Sequence, residues 1–165
     1  MPPDIRSQMN RIGQLCLVIC IFFSTSSCGD NAKGQLFHKA SIENSEKAKV
    51  YVYRLYLYCW GQRKPDLYLN GRYKLKLLNE GFAEFVLPAG KYEFKARGTA
   101  DMKTLGINLE VYPAKTYYLK YDVNCEPWLG PFGYGPLRFY EVGEPIALPE
   151  ISKCKAIGTS QFTQD

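Results

Sequence analysis

The chain has 165 residues and a formal net charge of +5, a size that holds one domain and a charge too mild to define a partner. Its only histidine is His38, and no serine lies between Ser45 and Ser152. Those two facts exclude a Ser/His or Cys/His pair and a histidine-built zinc site within the strand-rich part. No run of five basic residues occurs, so no nucleic-acid partner is expected.

The first element, residues 1–27, reads as an export signal. Arg6 and Arg11 supply a positive start, Leu15–Phe23 is an unbroken apolar run of nine residues, and Ser24, Thr25, Ser26 and Ser27 are small or polar. The run is about half of the roughly 20 residues a membrane-spanning helix needs. A buried core helix is a poorer account, since the run has no polar face. Arg6 and Arg11 against Asp4 give this leader a net +1, which leaves +4 for the rest.

Ser26, Ser27 and Cys28 resemble the end of the lipobox of bacterial lipoproteins, in which the cysteine is diacylated and becomes the new N-terminus. Thr25 stands where Leu is usual, and a start at Met9 gives a shorter, more typical leader. The resemblance implies a palmitate-type anchor on Cys28 and a place in the cell envelope, facing the periplasm. Gly29 in the position that sorts such proteins favours the outer over the inner membrane. An ordinary cleaved secretory signal is the alternative.

Residues 28–47, with the sequence CGDNAKGQLFHKASIENSEK, carry no sustained apolar period and are expected to be the lipidated cysteine and a flexible tether, with His38 a solvent-exposed linker residue. From Lys49 the period becomes two. Val50–Trp60 is apolar at both parities, the pattern of a strand covered on both faces. Asp66–Leu69 and Arg72–Leu77 flank Asn70-Gly71, the pair favoured in a two-residue type I′ hairpin. On strict alternation Tyr73, Leu75 and Leu77 point one way and Arg72, Lys74 and Lys76 the other. Phe82–Leu87 follows the Glu80-Gly81 turn and ends at Pro88-Ala89-Gly90. Tyr92, Phe94 and Ala96 then alternate with Lys91, Glu93 and Lys95. Leu105, Ile107, Leu109 and Val111 repeat the pattern, as do Tyr117, Leu119, Tyr121 and Val123, and Leu137–Val142 is the last strand.

About seven to eight short strands with turn signals between them predict an all-β fold, an antiparallel β-sandwich over residues 48–142. Residues 143–165 are expected to be a C-terminal tail of low regularity.

The succession AKVYVYR (Ala48–Arg54), LYLNG (Leu67–Gly71), FVLPAGKYEF (Phe85–Phe94) and AKTYYLK (Ala114–Lys120) resembles the family called domain of unknown function 2846. Its members are small bacterial lipoproteins with a compact β domain, and the likeness spans about Ala48–Val142. The hairpin and the Pro-Ala-Gly turn are also similar to PEGA-type β modules. Pro113-Ala114 departs from the Pro-Gly common in the family, and Cys59, Cys125 and Cys154 are not part of its pattern. The resemblance implies a fold and a cellular address, and brings no catalytic residues.

Three further features carry chemistry. In an oxidising compartment the three domain cysteines suggest one disulfide. Strands that alternate in direction place Cys59 and Cys125 at one end, so Cys59–Cys125 is the expected pair, with Cys154 an alternative partner for either and three free thiols the remaining option. Tyr56, Tyr58 and Trp60 share a parity, and Trp128 lies in a Gly/Pro-rich loop with Phe132 and Tyr134. These rings are candidates for ligand binding, with Arg54 and Arg63 adding polar contacts, although such rings also fill sandwich edges. Glu80, Glu84, Asp101 and Asp122 are scattered, with no sign of a paired acid and base. The expectation is a non-enzymatic, lipid-anchored lipoprotein whose β-sandwich is an interaction or scaffold domain for an envelope protein. A peptidoglycan-binding module is the alternative, and neither reading calls for a cofactor or a metal.

Overall fold

The computed structural model describes residues 31–41, 45–56, 64–97, 106–125, 134–158 and 162–163. The period-two stretches form β1 (Lys47–Arg54), β2 (Asp66–Leu69), β3 (Arg72–Lys76), β4 (Gly81–Pro88), β5 (Gly90–Arg97), β6 (Ile107–Val111), β7 (Thr116–Cys125) and β8 (Tyr134–Glu141). A helix α1 (Glu144–Ile151) and two-residue strands β9 (Lys155–Ala156) and β10 (Phe162–Thr163) complete the described elements. One sheet has the order β10-β4-β1-β7-β8, with β9 also on the outer edge of β4; the other has the order β3-β2-β5-β6. They pack face to face as an all-β sandwich, with Val50, Val52, Phe85 and Leu119 of the first sheet against Leu67, Phe94, Ala96 and Leu109 of the second. Phe85 and Phe94 meet edge to face across the gap, ring centroids 5.7 Å apart.

The expected hairpin is present in detail. Asn70 and Gly71 both have positive φ, 50° and 75°, which a two-residue type I′ turn requires. The strand facing differs on the turn side of one bulged residue. Leu67 pairs with Leu75 but Tyr68 with Tyr73, so a bulge at Lys74 shifts the register and turns Tyr73 outward beside Tyr68. Leu75 and Leu77 keep their inward places.

The larger sheet is mixed, not purely antiparallel. β1 runs antiparallel to β4 but parallel to β7, and β9 and β10 run parallel to β4. The reason is the route of the chain: after β5 and β6 in the second sheet it returns on the far side of β1, in the same direction as β1. β1 also stops at Arg54, opposite Gly81 at the start of β4. Within the described residues the expected extension to Trp60 ends at that point.

Both faces of β1 are covered. Ala48, Val50 and Val52 enter the sandwich, while Tyr51 and Tyr53 lie in a second cluster with Phe37, Tyr118, Ala147, Ile151 and Cys154. That outer layer comes from the two segments expected to be irregular. The C-terminal residues form α1, with Pro145 in its first turn, where no backbone donor is needed, and with Ala147 and Ile151 buried one turn apart. The lead-in residues dock as well: Ala32 and Phe37 are buried, and backbone amides of Ala32, Gly34 and Phe37 donate to Asn79, Ala156 and Cys154 carbonyls. Residues 31–41 are therefore a packed lead-in and not a free tether, because backbone bonds, which leave no side-chain period, fasten them. His38 itself is exposed, as expected of it.

Replacing Phe94 with Ala is expected to cost about 3–5 kcal/mol, the range for emptying a buried aromatic site. Urea unfolding monitored by circular dichroism measures the loss; a change below about 1 kcal/mol contradicts Phe94 as a central core residue.

Candidate functional site

Strand directions gather several features at one end of the sandwich. β1, β3, β5 and β7 finish there, and β2, β4, β6 and β8 begin there. Arg54 closes β1 at this end and is 1% exposed, with Nη1 donating to the Leu77 carbonyl at 3.2 Å. Burial lowers its pKa, and the nearby Tyr121 phenol works against that shift. Burial also pushes Tyr121 up to about 12, with Arg54 acting in the opposite sense. A phenol this reluctant to ionise leaves the guanidinium as the charged member of the pair.

At the same end the lead-in meets the turn before β4. Asn31 Nδ2 donates to Glu80 Oε2 at 2.7 Å, and Ala32 N to the Asn79 carbonyl at 3.0 Å. Gly34 lies so close to the C-terminal segment that a Cβ there would stand 2.4 Å from the Ala156 carbonyl oxygen. Between these segments opens a cleft of about 740 Å³ lined by Asn31, Lys33, Gly34, Leu78, Ile157 and Gly158 among others. Its walls mix an amide and an ammonium with apolar side chains. That chemistry suits an amphipathic or anionic group and supplies no acid and base pair.

The outer face of the β3-β2-β5-β6 sheet is the second exposed feature. Tyr68 and Tyr73 pack edge to face at 5.9 Å, and the Arg97 guanidinium sits over the Tyr68 ring at 4.8 Å. Nothing among the described residues covers this aromatic and cationic patch. Strict alternation hid it, since it depends on the bulge that turns Tyr73 out.

The residues singled out from sequence are distributed as follows. Cys28, Tyr58, Cys59, Trp60, Arg63, Asp101, Trp128 and Phe132 lie outside the described residues. Tyr56 is 59% exposed just beyond β1. Cys125 is the last residue of β7, paired in register with Tyr134, and the parallel β1 and β7 end on the same side. Cys154 is a buried free thiol whose Sγ is 3.6 Å from the Arg54 carbonyl oxygen. Burial first, then the carboxylates of Glu80 and Glu150, push its pKa up to about 12, leaving it a protonated, inert filler of the outer layer. Glu84 is engaged by Lys49 at 3.2 Å. Among the described residues no three His, Cys, Asp or Glu side chains converge as a metal site would require.

The ionisable groups that do meet are latches for α1. Tyr53 Oη donates to Glu150 Oε2 at 2.6 Å, and Lys120 Nζ bonds Glu150 Oε1 at 2.9 Å while lying 3.4 Å from Asp122 Oδ2. Lys39 of the lead-in pairs with Glu144 at the start of the helix, which Tyr118 also reaches. Partial burial works to raise the Glu150 pKa, but the Tyr53 hydroxyl and the Lys120 ammonium outweigh it and hold the carboxyl below its ordinary value.

The chain matches no protein-family model, and neither the curated proteins nor the solved structures contain a match to it. The residues themselves therefore carry the functional argument.

Gly34→Val is expected to undock the lead-in while leaving the sandwich folded. Hydrogen exchange should speed up about tenfold or more at the Ala32 and Phe37 amides, the change that ~1.4 kcal/mol of local opening produces, with β1 amides still protected. Unaltered exchange at Phe37 contradicts a packed lead-in. Glu150→Ala is expected to lower stability by about 1–3 kcal/mol near neutral pH, since Tyr53 and Lys120 lose a charged partner. Because the folded-state pKa of Glu150 is depressed, its contribution is complete above the unfolded value and disappears as pH falls through the folded one. The stability gap between wild type and Glu150→Ala should therefore close below about pH 4, as measured by urea midpoints across pH. A gap independent of pH argues against the ionised latch.

Proposed function

We propose that this protein is a lipid-anchored cell-envelope lipoprotein facing the periplasm, more readily of the outer than of the inner membrane, whose β-sandwich is a non-enzymatic interaction domain. The observation that carries the reading is the leader itself. A positive start, an apolar run too short to span a bilayer and small residues ending at Cys28 supply the parts of a lipoprotein signal. The sandwich adds to that reading. Buried Cys154 is held protonated, and the acids that meet are committed to Lys49, Lys120 and Lys39 as structural partners. What the domain offers to its surroundings is surface: the open face with Tyr68, Tyr73 and Arg97, suited to an envelope protein or to the sugar rings of peptidoglycan.

More than one acyl chain makes such an anchor stable, since each buried methylene contributes about 0.8 kcal/mol and one chain alone binds only reversibly. Metabolic labelling of the full chain with a palmitate analogue tests the anchor. Label is expected in the wild type and is expected to vanish in Cys28→Ser, with the variant released from the membrane fraction. Equal label in the two proteins overturns the reading.

A further inference from the structure

The anchor fixes more than an address, because the chain between it and the domain is short. Asn31 is already held by Glu80 and Ala32 by Asn79. Only Gly29 and Asp30 lie between Cys28 and Asn31, and the three residue-to-residue steps reach about 11 Å at full extension. The polar headgroup layer on each side of a bilayer is about 5–8 Å thick. A lipid on Cys28 therefore leaves the Asn79–Glu80 turn, and the end of the sandwich to which it belongs, within contact distance of the headgroups.

That end also has the charge for it. Lys33, Lys64, Lys76, Arg97 and Lys155 are exposed there, at the cleft, at the starts of β2 and β9 and at the ends of β3 and β5. Of the carboxylates described toward this end, Asp66 and Glu80 remain as charges while Asp122 and Glu150 share the Lys120 ammonium, so the cations outnumber them. At the opposite end the cations Lys47, Arg72, Lys91 and Lys115 are interspersed with Glu46, Glu93 and Glu110, so the two signs nearly balance. Exposed Leu36 and Tyr56 add apolar and interfacial side chains to the cationic end. Lysine and arginine near an anionic leaflet are attracted to it, and the attraction falls off within a Debye length, so it acts only on the end held close.

We infer that the end of the sandwich bearing Lys33, Lys64, Lys76, Arg97 and Lys155 lies against the anionic lipid surface, so that the strands stand upright on the membrane. This orientation rests on the anchor at Cys28. It is distinct from it, since a long free tether would leave the domain tumbling. The cleft between Asn31, Leu78 and Ile157 opens on this end, and the hairpin at Asn70-Gly71 and the turn at Pro88–Gly90 mark the end turned away.

The test uses the full chain in a bacterial envelope. A photoreactive benzophenone residue replaces Lys76 or Lys155 at the cationic end, or Lys91 or Lys115 at the other, all of them exposed and outside the core. Each protein is labelled in parallel with the palmitate analogue, irradiated and examined by mass spectrometry for phospholipid adducts. The expected result is label in all four, with adducts several-fold more abundant from positions 76 and 155. Label with equal, reversed or absent adducts overturns the orientation and leaves the anchor standing. Absence of label from these proteins and from the wild type overturns the anchor, and the orientation with it.

Discussion

The two-sided burial of β1 is the constraint on which the other elements depend. A strand with Val50 and Val52 on one side and Tyr51 and Tyr53 on the other cannot lie at a solvent-facing sheet surface, since each such side chain left wet forfeits about 1.5–3 kcal/mol. One cover is the second sheet. The other must be supplied from outside the sandwich, and α1 and the lead-in supply it. The polar tips that this burial traps then dictate the latches: Tyr53 needs Glu150, Lys49 needs Glu84 and the Ser41 carbonyl, and Arg54 takes the Leu77 carbonyl.

What was legible in the sequence follows from which forces leave a trace in side-chain order. Alternation exposed the strands, and Asn70-Gly71 exposed its hairpin because positive φ restricts the residue type. The apolar run at both parities of β1 correctly announced two covered faces without showing what covers the second. α1 escaped because an eight-residue helix with Pro145 and Pro149, burying only Ala147 and Ile151, has almost no helical period. The lead-in escaped because its fastening is made by backbone amides, which every residue but proline possesses. Tyr73 was misplaced by a single bulged residue, since one extra residue inverts the facing of those beyond it.

The candidate sites divide in the same way. Cys28 is proposed from a local motif, its neighbours alone. The cleft joins residues as distant as Asn31, Leu78 and Ile157, and the cationic end collects Lys33, Lys76, Arg97 and Lys155 from four segments. A net charge of +4 beyond the leader conceals such a patch, because composition averages over both ends of the molecule. Cys154 shows the converse: parity made it a disulfide candidate, whereas its position beneath α1 gives it the role of a small apolar side chain.

The docked lead-in has a mechanical consequence. Tension drawn on the chain from residue 28 arrives at Asn31, and the bonds of Asn31 to Glu80, Ala32 to Asn79, Gly34 to Ala156 and Phe37 to Cys154 all precede β1 along the chain. These contacts must open before any load reaches the strand that both layers share. The chain from Asn31 to Glu46, sixteen residues, then precedes β1, at up to roughly 3.3–3.6 Å each. The lead-in is thus placed to open ahead of the core when the chain is pulled from its N-terminal side.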